Sequence, residues 1–113
     1  MKITEIRSFI PSKDYEVSKS FYESLGFEGE SAGPDLTIFQ KSGHTFFLQR
    51  YYNQEFANNL MLQLIVENID EAYNLVSGLS EVKHSDVKSE PWGSVFYLWG
   101  PSGELWHITE LGS

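Results

Sequence analysis

Apolar and polar residues alternate over residues 3–10 (ITEIRSFI), which predicts a first strand. Residues 14–25 then predict a helix, because apolar side chains recur there at helical spacing. Asp14 stands where an N-cap is expected, and Gly26 where a left-handed residue ends a helix. Further strands in this half are predicted at about 27–31, 36–40 and 45–51, the last two joined by a hairpin turn.

The second half of the chain repeats this order. Residues 60–67 (LMLQLIVE) predict a strand, and Asn68 with Glu71 has the form of a capping box that begins a helix. The polar residues 53–59 before it predict a linker. Three more strands are predicted at about 82–88, 94–99 and 104–111.

The order β-α-β-β-β therefore occurs twice, in module one (about residues 1–52) and module two (about 60–112) of a single 113-residue domain. The first strand and helix of the two modules align at an offset of 54 residues, and their last hairpins at an offset of 60. Arg7 then pairs with Met61, and Phe47 with His107. The predicted class is α+β, with two like modules packed together.

Composition limits the functions that fit. The chain has no cysteine, so it has neither disulfides nor thiolate metal ligands, which is compatible with a reducing, cytoplasmic location. No signal peptide and no apolar run of membrane-spanning length is visible, so no membrane partner is expected. The net charge of −8 argues against nucleic-acid binding and favours neutral or cationic small molecules as partners.

Two segments carry a family resemblance. The first is Asp14 and Ser18 followed by FYESLGF at 21–27, and the second is PWG at 91–93, then PSG at 101–103. Together they resemble the glyoxalase/bleomycin-resistance/dioxygenase superfamily, also called vicinal oxygen chelate proteins. The resemblance implies two βαβββ half-barrels forming a curved mixed sheet around a cleft. In the bleomycin-resistance branch it also implies a homodimer with clefts between the subunits, often formed by exchanged modules.

The resemblance also points to four cleft positions that bind metal in many superfamily members. In this sequence they are Arg7, Phe47, Met61 and His107. Only His107 can readily bind a divalent ion, because a guanidinium repels cations, phenylalanine has no donor atom, and a thioether is a soft ligand. A catalytic zinc site needs about three protein ligands. We therefore expect no metal and no other cofactor.

The same resemblance predicts a ligand pocket lined by Arg7, Phe47, Gln49, Met61, Trp99 and His107. Alternatives remain open: Arg7 could pair with a ligand carboxylate or with Glu5 or Glu110, and either face of strand 94–99 could meet the cleft. The predicted function is metal-independent binding or sequestration of a small aromatic or cationic molecule. The alternative is a metal-dependent glyoxalase- or dioxygenase-like enzyme (lyase, isomerase or oxygenase) with an altered ligand set.

The hairpin before the last strand departs from the family pattern. Gly100 stands where the family usually has Asp, and Glu104 where it usually has Asn. We expect this hairpin to depend on glycine and proline geometry rather than on side-chain hydrogen bonds.

Overall fold

Two sheets carry the strands of the chain, in a computed structural model that describes residues 1–112. Sheet one has the order β1-β4-β3-β2, and sheet two the order β5-β9-β8-β6, with β7 also paired to β8. The strands are β1 (Phe9–Pro11), β2 (Glu28–Ser31), β3 (Leu36–Lys41), β4 (His44–Gln49), β5 (Met61–Ile65), β6 (Lys83–His84), β7 (Lys88–Glu90), β8 (Gly93–Trp99) and β9 (Leu105–Leu111). The helices are α1 (Tyr15–Ser24), α2 (Gln54–Asn59) and α3 (Ile69–Ser77). The predicted α+β class is confirmed.

The repeat is visible in the strand register. β1 runs parallel to β4 with Phe9 opposite Phe47, and β5 runs parallel to β9 with Gln63 opposite His107. These pairs are related by the same offsets of 54 and 60 residues that the sequence gives. Each module therefore brings its first and last strand together in the same register.

The caps of α1 and α3 form as predicted. The Asp14 carboxylate accepts a hydrogen bond from the Val17 amide at 3.2 Å, and the Asn68 side chain accepts one from the Glu71 amide at 3.0 Å. Gly26 follows α1 with a φ of +99°, the left-handed conformation that ends a helix. These local signals fix where each module's helix begins and where α1 ends.

The first strand is shorter than predicted. Only Phe9–Pro11 form a strand, whereas residues 1–8 belong to no strand or helix. Alternation alone does not make a strand, because its backbone groups also need a partner ladder. Ahead of β1 the chain contacts β4 through single hydrogen bonds, including one from the Phe47 amide to the Ser8 carbonyl at 2.9 Å.

Two further predictions about elements are wrong. The strand expected at 82–88 is divided into β6 and β7, because the Ser85 side chain accepts the Tyr97 amide at 2.8 Å and interrupts the ladder. The expected linker at 53–59 is the helix α2, which Asn53 caps by accepting the Phe56 amide at 3.0 Å.

One core joins the two modules. Tyr22 on α1 lies 5.0 Å from the Phe46 ring of sheet one and 6.0 Å from the Trp106 ring of sheet two, measured between centroids. Each such aromatic pair contributes about 0.5–1.5 kcal/mol beyond its buried area. The helix-side faces of both sheets thus meet in this core, whereas Phe9 and Met61 on the opposite faces are exposed.

The β8–β9 hairpin is tied to α1 by a buried carboxyl, which corrects the expectation that glycine and proline geometry matters more there than side-chain hydrogen bonds. Glu104 is fully buried; its Oε2 accepts the Tyr22 hydroxyl at 2.6 Å and its Oε1 accepts the Ser102 amide at 3.0 Å. Trp106 Nε1 donates to the Tyr22 hydroxyl at 3.0 Å. Burial raises the pKa of Glu104 and that of Tyr22.

Gly100 leaves room for this carboxyl. A Cβ at Gly100 would lie 2.3 Å from the Glu104 carboxyl carbon, closer than real atoms approach. The two departures from the family pattern are therefore one feature: a buried glutamate and the glycine that accommodates it.

Candidate ligand-binding site

One face of sheet two carries His107 among aromatic side chains. On β8, Phe96 and Leu98 are buried in the core, whereas Tyr97 and Trp99 alternate onto the face that His107 occupies on β9. Tyr97 lies opposite His107, with the ring centroids 5.0 Å apart and the planes perpendicular. Of the two faces of β8, the one with Tyr97 and Trp99 is therefore the face that His107 shares.

His107 has a polar atom that the protein does not satisfy. Its Nε2 is buried and has no hydrogen-bond partner within residues 1–112. A buried polar atom without a partner costs about 1–3 kcal/mol. A ligand group that reached this nitrogen would recover that cost, so the atom is a natural point of polar recognition.

The corresponding face of sheet one is aromatic. The rings of Phe9 and Phe47 lie 4.7 Å apart, and the Arg7 guanidinium lies 5.0 Å from the Phe47 ring centroid. Arg7 also forms an ion pair with Glu5, with Nε 2.7 Å from Oε2. Hydrogen bonds from Arg7 and the Thr45 hydroxyl lower the pKa of Glu5 to about 2. Of the roles that the sequence left open for Arg7, pairing with Glu5 is the one present.

The six predicted site residues do not meet in one pocket of a single protomer. Arg7, Phe47 and Gln49 lie on or beside sheet one, and Met61, Trp99 and His107 on sheet two. Because the modules pack through their helix-side faces, the two candidate faces are on opposite sides of the shared core. Gln49 and Trp99 line two different pockets.

The pocket that includes Gln49 lies between β1, the end of β4 and α2. Its volume is about 400 Å³, within the range of small-molecule sites. Its lining consists of Phe9, Pro11, Gln49, Tyr51, Phe56, Asn59 and Leu60. We call it the α2 pocket.

Phe56 and Asn59 were missed as pocket residues because residues 53–59 were expected to form a linker. Two signals for a helix were present: Asn53 at an N-cap position, and Phe56 and Leu60 at a spacing of four residues. A polar six-residue helix has too short a pattern to stand out against a loop.

A second pocket, of about 580 Å³, lies where α1 approaches the β8–β9 hairpin and the segment before β6. Trp99 lines it together with Val17, Phe21, Val82, Lys83 and Pro101, among others. Lys83 Nζ lies 4.6 Å from the Trp99 ring centroid. The face of this indole is therefore already engaged by a cation of the chain itself.

The four family metal positions do not form a metal site. Of Arg7, Phe47, Met61 and His107, only the imidazole is a suitable ligand, and Arg7 brings a positive charge. Among residues 1–112, no group of three or more His, Asp or Glu side chains is placed to hold a metal ion. The donor set does not fit the metal chemistry of the superfamily's enzymes.

The sequence matches no protein-family model and no curated protein. Solved structures do match. TnmS3, an antibiotic binding protein from Streptomyces sp. CB03234, superposes with a TM-score of 0.85 at 21% identity, over 99% of both chains. This chain has the glyoxalase/bleomycin resistance fold.

Two other structures with this fold agree with the superposition. A bleomycin-binding protein from bleomycin-producing Streptomyces verticillus, complexed with copper(II)-bleomycin, gives a TM-score of 0.81 at 20% identity, over 100% of this chain and 99% of that one. A bleomycin resistance determinant encoded on the transposon Tn5 gives 0.80 at 17% identity, over 98% and 100%. The predicted fold is confirmed by these superpositions.

The helices of residues 1–112 are all too short or too polar to span a bilayer.

Proposed function

We propose that this protein binds and sequesters a small aromatic molecule, as the bleomycin-binding proteins of the same fold bind bleomycin, and that it needs no metal ion of its own to do so. The observation that carries the proposal is the unsatisfied Nε2 of His107 on a sheet face that also carries the aromatic rings of Tyr97 and Trp99. Such a face offers area for stacking and one polar contact for orientation, which is the usual make-up of a small-molecule site.

The proposal includes a homodimer. Each protomer leaves large apolar side chains of both faces exposed: Phe9 is 53% exposed and Met61 67%. Apolar surface of this kind marks sites of association. A second copy that set its sheet-two face against sheet one would bring Phe47 of one protomer towards the partner's His107 and form a closed cleft.

Metal independence follows from the donor set. His107 is the one suitable ligand at the four family positions, and a single imidazole cannot supply the three ligands that a catalytic zinc site uses. Without such a site the superfamily's means of polarising a substrate oxygen is missing. Binding, rather than turnover, is therefore the proposed activity, and no cofactor is required for it.

Binding can be tested by isothermal titration with bleomycin and other planar aromatic antibiotics, in chelator and again with added zinc. We expect saturable binding in chelator that His107→Ala weakens at least tenfold, while His44→Ala, at the exposed first residue of β4, leaves it unchanged. Light scattering should give a dimer. Stoichiometric metal that is lost with His107→Ala, or equal binding by both variants, would overturn the proposal.

A further inference from the structure

The second pocket, where α1 approaches the β8–β9 hairpin, is separate from the strands that carry the proposed cleft. Its lining comes from α1, from residues 79–83 at and before β6, from Trp99 at the end of β8 and from the hairpin. The strands that carry Phe47, Met61 and His107 contribute no residue to it. A partner seated over those strands therefore need not cover this pocket. We call it the hairpin pocket.

The hairpin pocket has an apolar wall. Val17 on α1 is 52% exposed, and Phe21 lines the pocket one helical turn later. Leu79, Val82 and Pro101 line it from the segment before β6 and from the hairpin. With a volume of about 580 Å³, the pocket is within the range of small-molecule sites. It can hold an apolar group of the size of an aliphatic or benzyl side chain.

Two opposite charges line the same pocket. Glu81 and Lys83 are two residues apart, both are exposed, and neither takes part in any ion pair formed among residues 1–112. The Nζ of Lys83 instead lies 4.6 Å from the centroid of the Trp99 ring. A charge without a counter-ion in the chain can form a charge-assisted hydrogen bond with a ligand. The pocket thus offers one anionic and one cationic contact beside an apolar wall.

Glu81 has a backbone conformation that is unfavourable for its residue type. Its φ is +59°, in the left-handed region that glycine adopts readily and other residues rarely do. Strained residues of this kind are concentrated at ligand sites and switch segments. No ion pair within residues 1–112 accounts for a carboxylate at this position. A glutamate in place of glycine here favours a contact outside the chain.

From these observations we infer that the hairpin pocket binds a free α-amino acid with an apolar side chain, in its zwitterionic form. The Glu81 carboxylate accepts hydrogen bonds from the ligand ammonium, and the Lys83 ammonium donates to the ligand carboxylate. The ligand side chain packs against Val17 and Phe21. This site is independent of the proposed cleft and adds a second ligand to the proposed function.

The test compares three probes that share a phenyl ring: L-phenylalanine, phenethylamine, which lacks the carboxylate, and 3-phenylpropanoate, which lacks the ammonium. Binding to the full chain is measured by ligand-detected NMR titration at pH 7. We expect saturable binding of phenylalanine, at least fivefold tighter than that of either analogue, because each analogue leaves one charge of the pocket without a partner. Equal binding of the three probes, or no saturable binding of phenylalanine, would overturn the inference.

Each charge of the pocket is tested by its own variant. Lys83→Met should remove the advantage of phenylalanine over phenethylamine, and Glu81→Gln should remove its advantage over 3-phenylpropanoate. Lys88→Met and Glu90→Gln make the same changes at exposed positions of β7, also two residues apart, and should leave both ratios unchanged. If these controls changed the ratios as much, net charge rather than the pocket would decide binding, and the inference would fail.

A second variant at position 81 guards against misfolding. Glu81→Gly removes the carboxylate and supplies the residue that best adopts a φ of +59°. It should therefore fold at least as well as the wild type, which urea denaturation measures. A folded Glu81→Gly variant that still preferred phenylalanine to 3-phenylpropanoate would contradict the inference.

The hairpin pocket and the proposed cleft can be distinguished. His107→Ala should leave phenylalanine binding unchanged, and Glu81→Gln should leave bleomycin binding unchanged. Loss of phenylalanine binding in His107→Ala would place the amino acid in the cleft and overturn the inference, as would conversion of Val17→Ser to a monomer, which would place a second copy of the chain on the pocket. Phenylalanine binding that depends on Glu81 and Lys83, with no His107-dependent ligand, would support the inference and remove the proposed cleft.

Discussion

The hydroxyl of Tyr22 donates a 2.6 Å hydrogen bond to the buried carboxyl of Glu104, 82 positions later in the chain. Tyr22 belongs to module one and Glu104 to module two. The same hydroxyl accepts the Trp106 indole N–H at 3.0 Å. One oxygen atom therefore links α1 to the hairpin and to the last strand of the other module, and it is the first target for mutation.

Tyr22→Phe should lower the free energy of unfolding by about 2–4 kcal/mol, because it leaves both the Glu104 carboxyl and the Trp106 N–H without a partner in the core. Urea denaturation measures the change. Tyr51→Phe, which removes a hydroxyl from a side chain 47% exposed, is the control and should change little. Equal effects in the two variants would show that the Tyr22 bonds do not stabilise the fold.

The stability contribution of Glu104 should depend on pH. Burial raises its pKa above the ordinary value of 4.5, so the folded protein binds this proton more tightly than the unfolded chain does. The contribution is fully present below pH 4.5 and is lost as pH rises through the folded pKa. Glu104→Gln lacks this titration.

The free energy of unfolding of the wild type minus that of Glu104→Gln should therefore fall as pH rises, and then level off. Denaturation series from pH 4 to 8 give this difference. Glu23→Gln, at an exposed position on α1, provides the comparison and should give a flat difference. A flat difference for Glu104→Gln as well would mean that burial does not raise its pKa.

Gly100→Ala should destabilise the protein by about 1–3 kcal/mol, because the new methyl group overlaps the Glu104 carboxyl. Combining it with Glu104→Ala should cost less than the sum of the two single changes, which a double-mutant cycle measures. Gly78→Ala is the control, since its Cβ would make only ordinary contacts at 3.5 Å. Additive costs would show that the two positions are independent.

Replacing Arg7 by Met should raise the pKa of Glu5 from about 2 towards 4.5, because the strongest hydrogen bond to its carboxylate is removed. NMR titration of the Glu5 side chain gives both values. In the wild type, the lowered pKa of Glu5 means that the Arg7–Glu5 pair stabilises the folded protein above pH 4.5. This contribution is lost as pH falls towards 2. If the pKa of Glu5 were unchanged in the variant, the hydrogen bond from Thr45, and not the one from Arg7, would be the cause of the lowered value.

Much of the fold could be predicted from local pattern. Periodicity and caps predicted α1 and α3, and the predicted offsets of 54 and 60 residues also relate the strand pair Phe9–Phe47 to the pair Gln63–His107. The predictions that failed concern contacts between residues that are far apart in the sequence. The first strand is shorter because a ladder needs a partner, and the role of Glu104 depends on Tyr22, to which no local pattern connects it.

The candidate site was predictable only in part. Alternation correctly set His107 apart from Trp106 and Ile108, which are buried in the core. It could not show that the modules of one chain meet through their helix sides, which separates the six predicted residues onto two faces. Nor could it show the α2 pocket, whose residues come from three segments brought together by the tertiary fold.

The equivalent strand pairs of the two modules have diverged in chemistry. The side chains of Phe9 and Phe47 are apolar hydrocarbon rings, whereas the side chains of Gln63 and His107 both contain polar nitrogen atoms. The backbone fold is repeated, but the two modules carry chemically different side chains at equivalent positions. A molecule bound between a Phe9–Phe47 pair and a Gln63–His107 pair would contact apolar side chains at one end and polar side chains at the other. Divergence of the two repeats has therefore made the scaffold asymmetric. A molecule bound between the two pairs would fit in one orientation only.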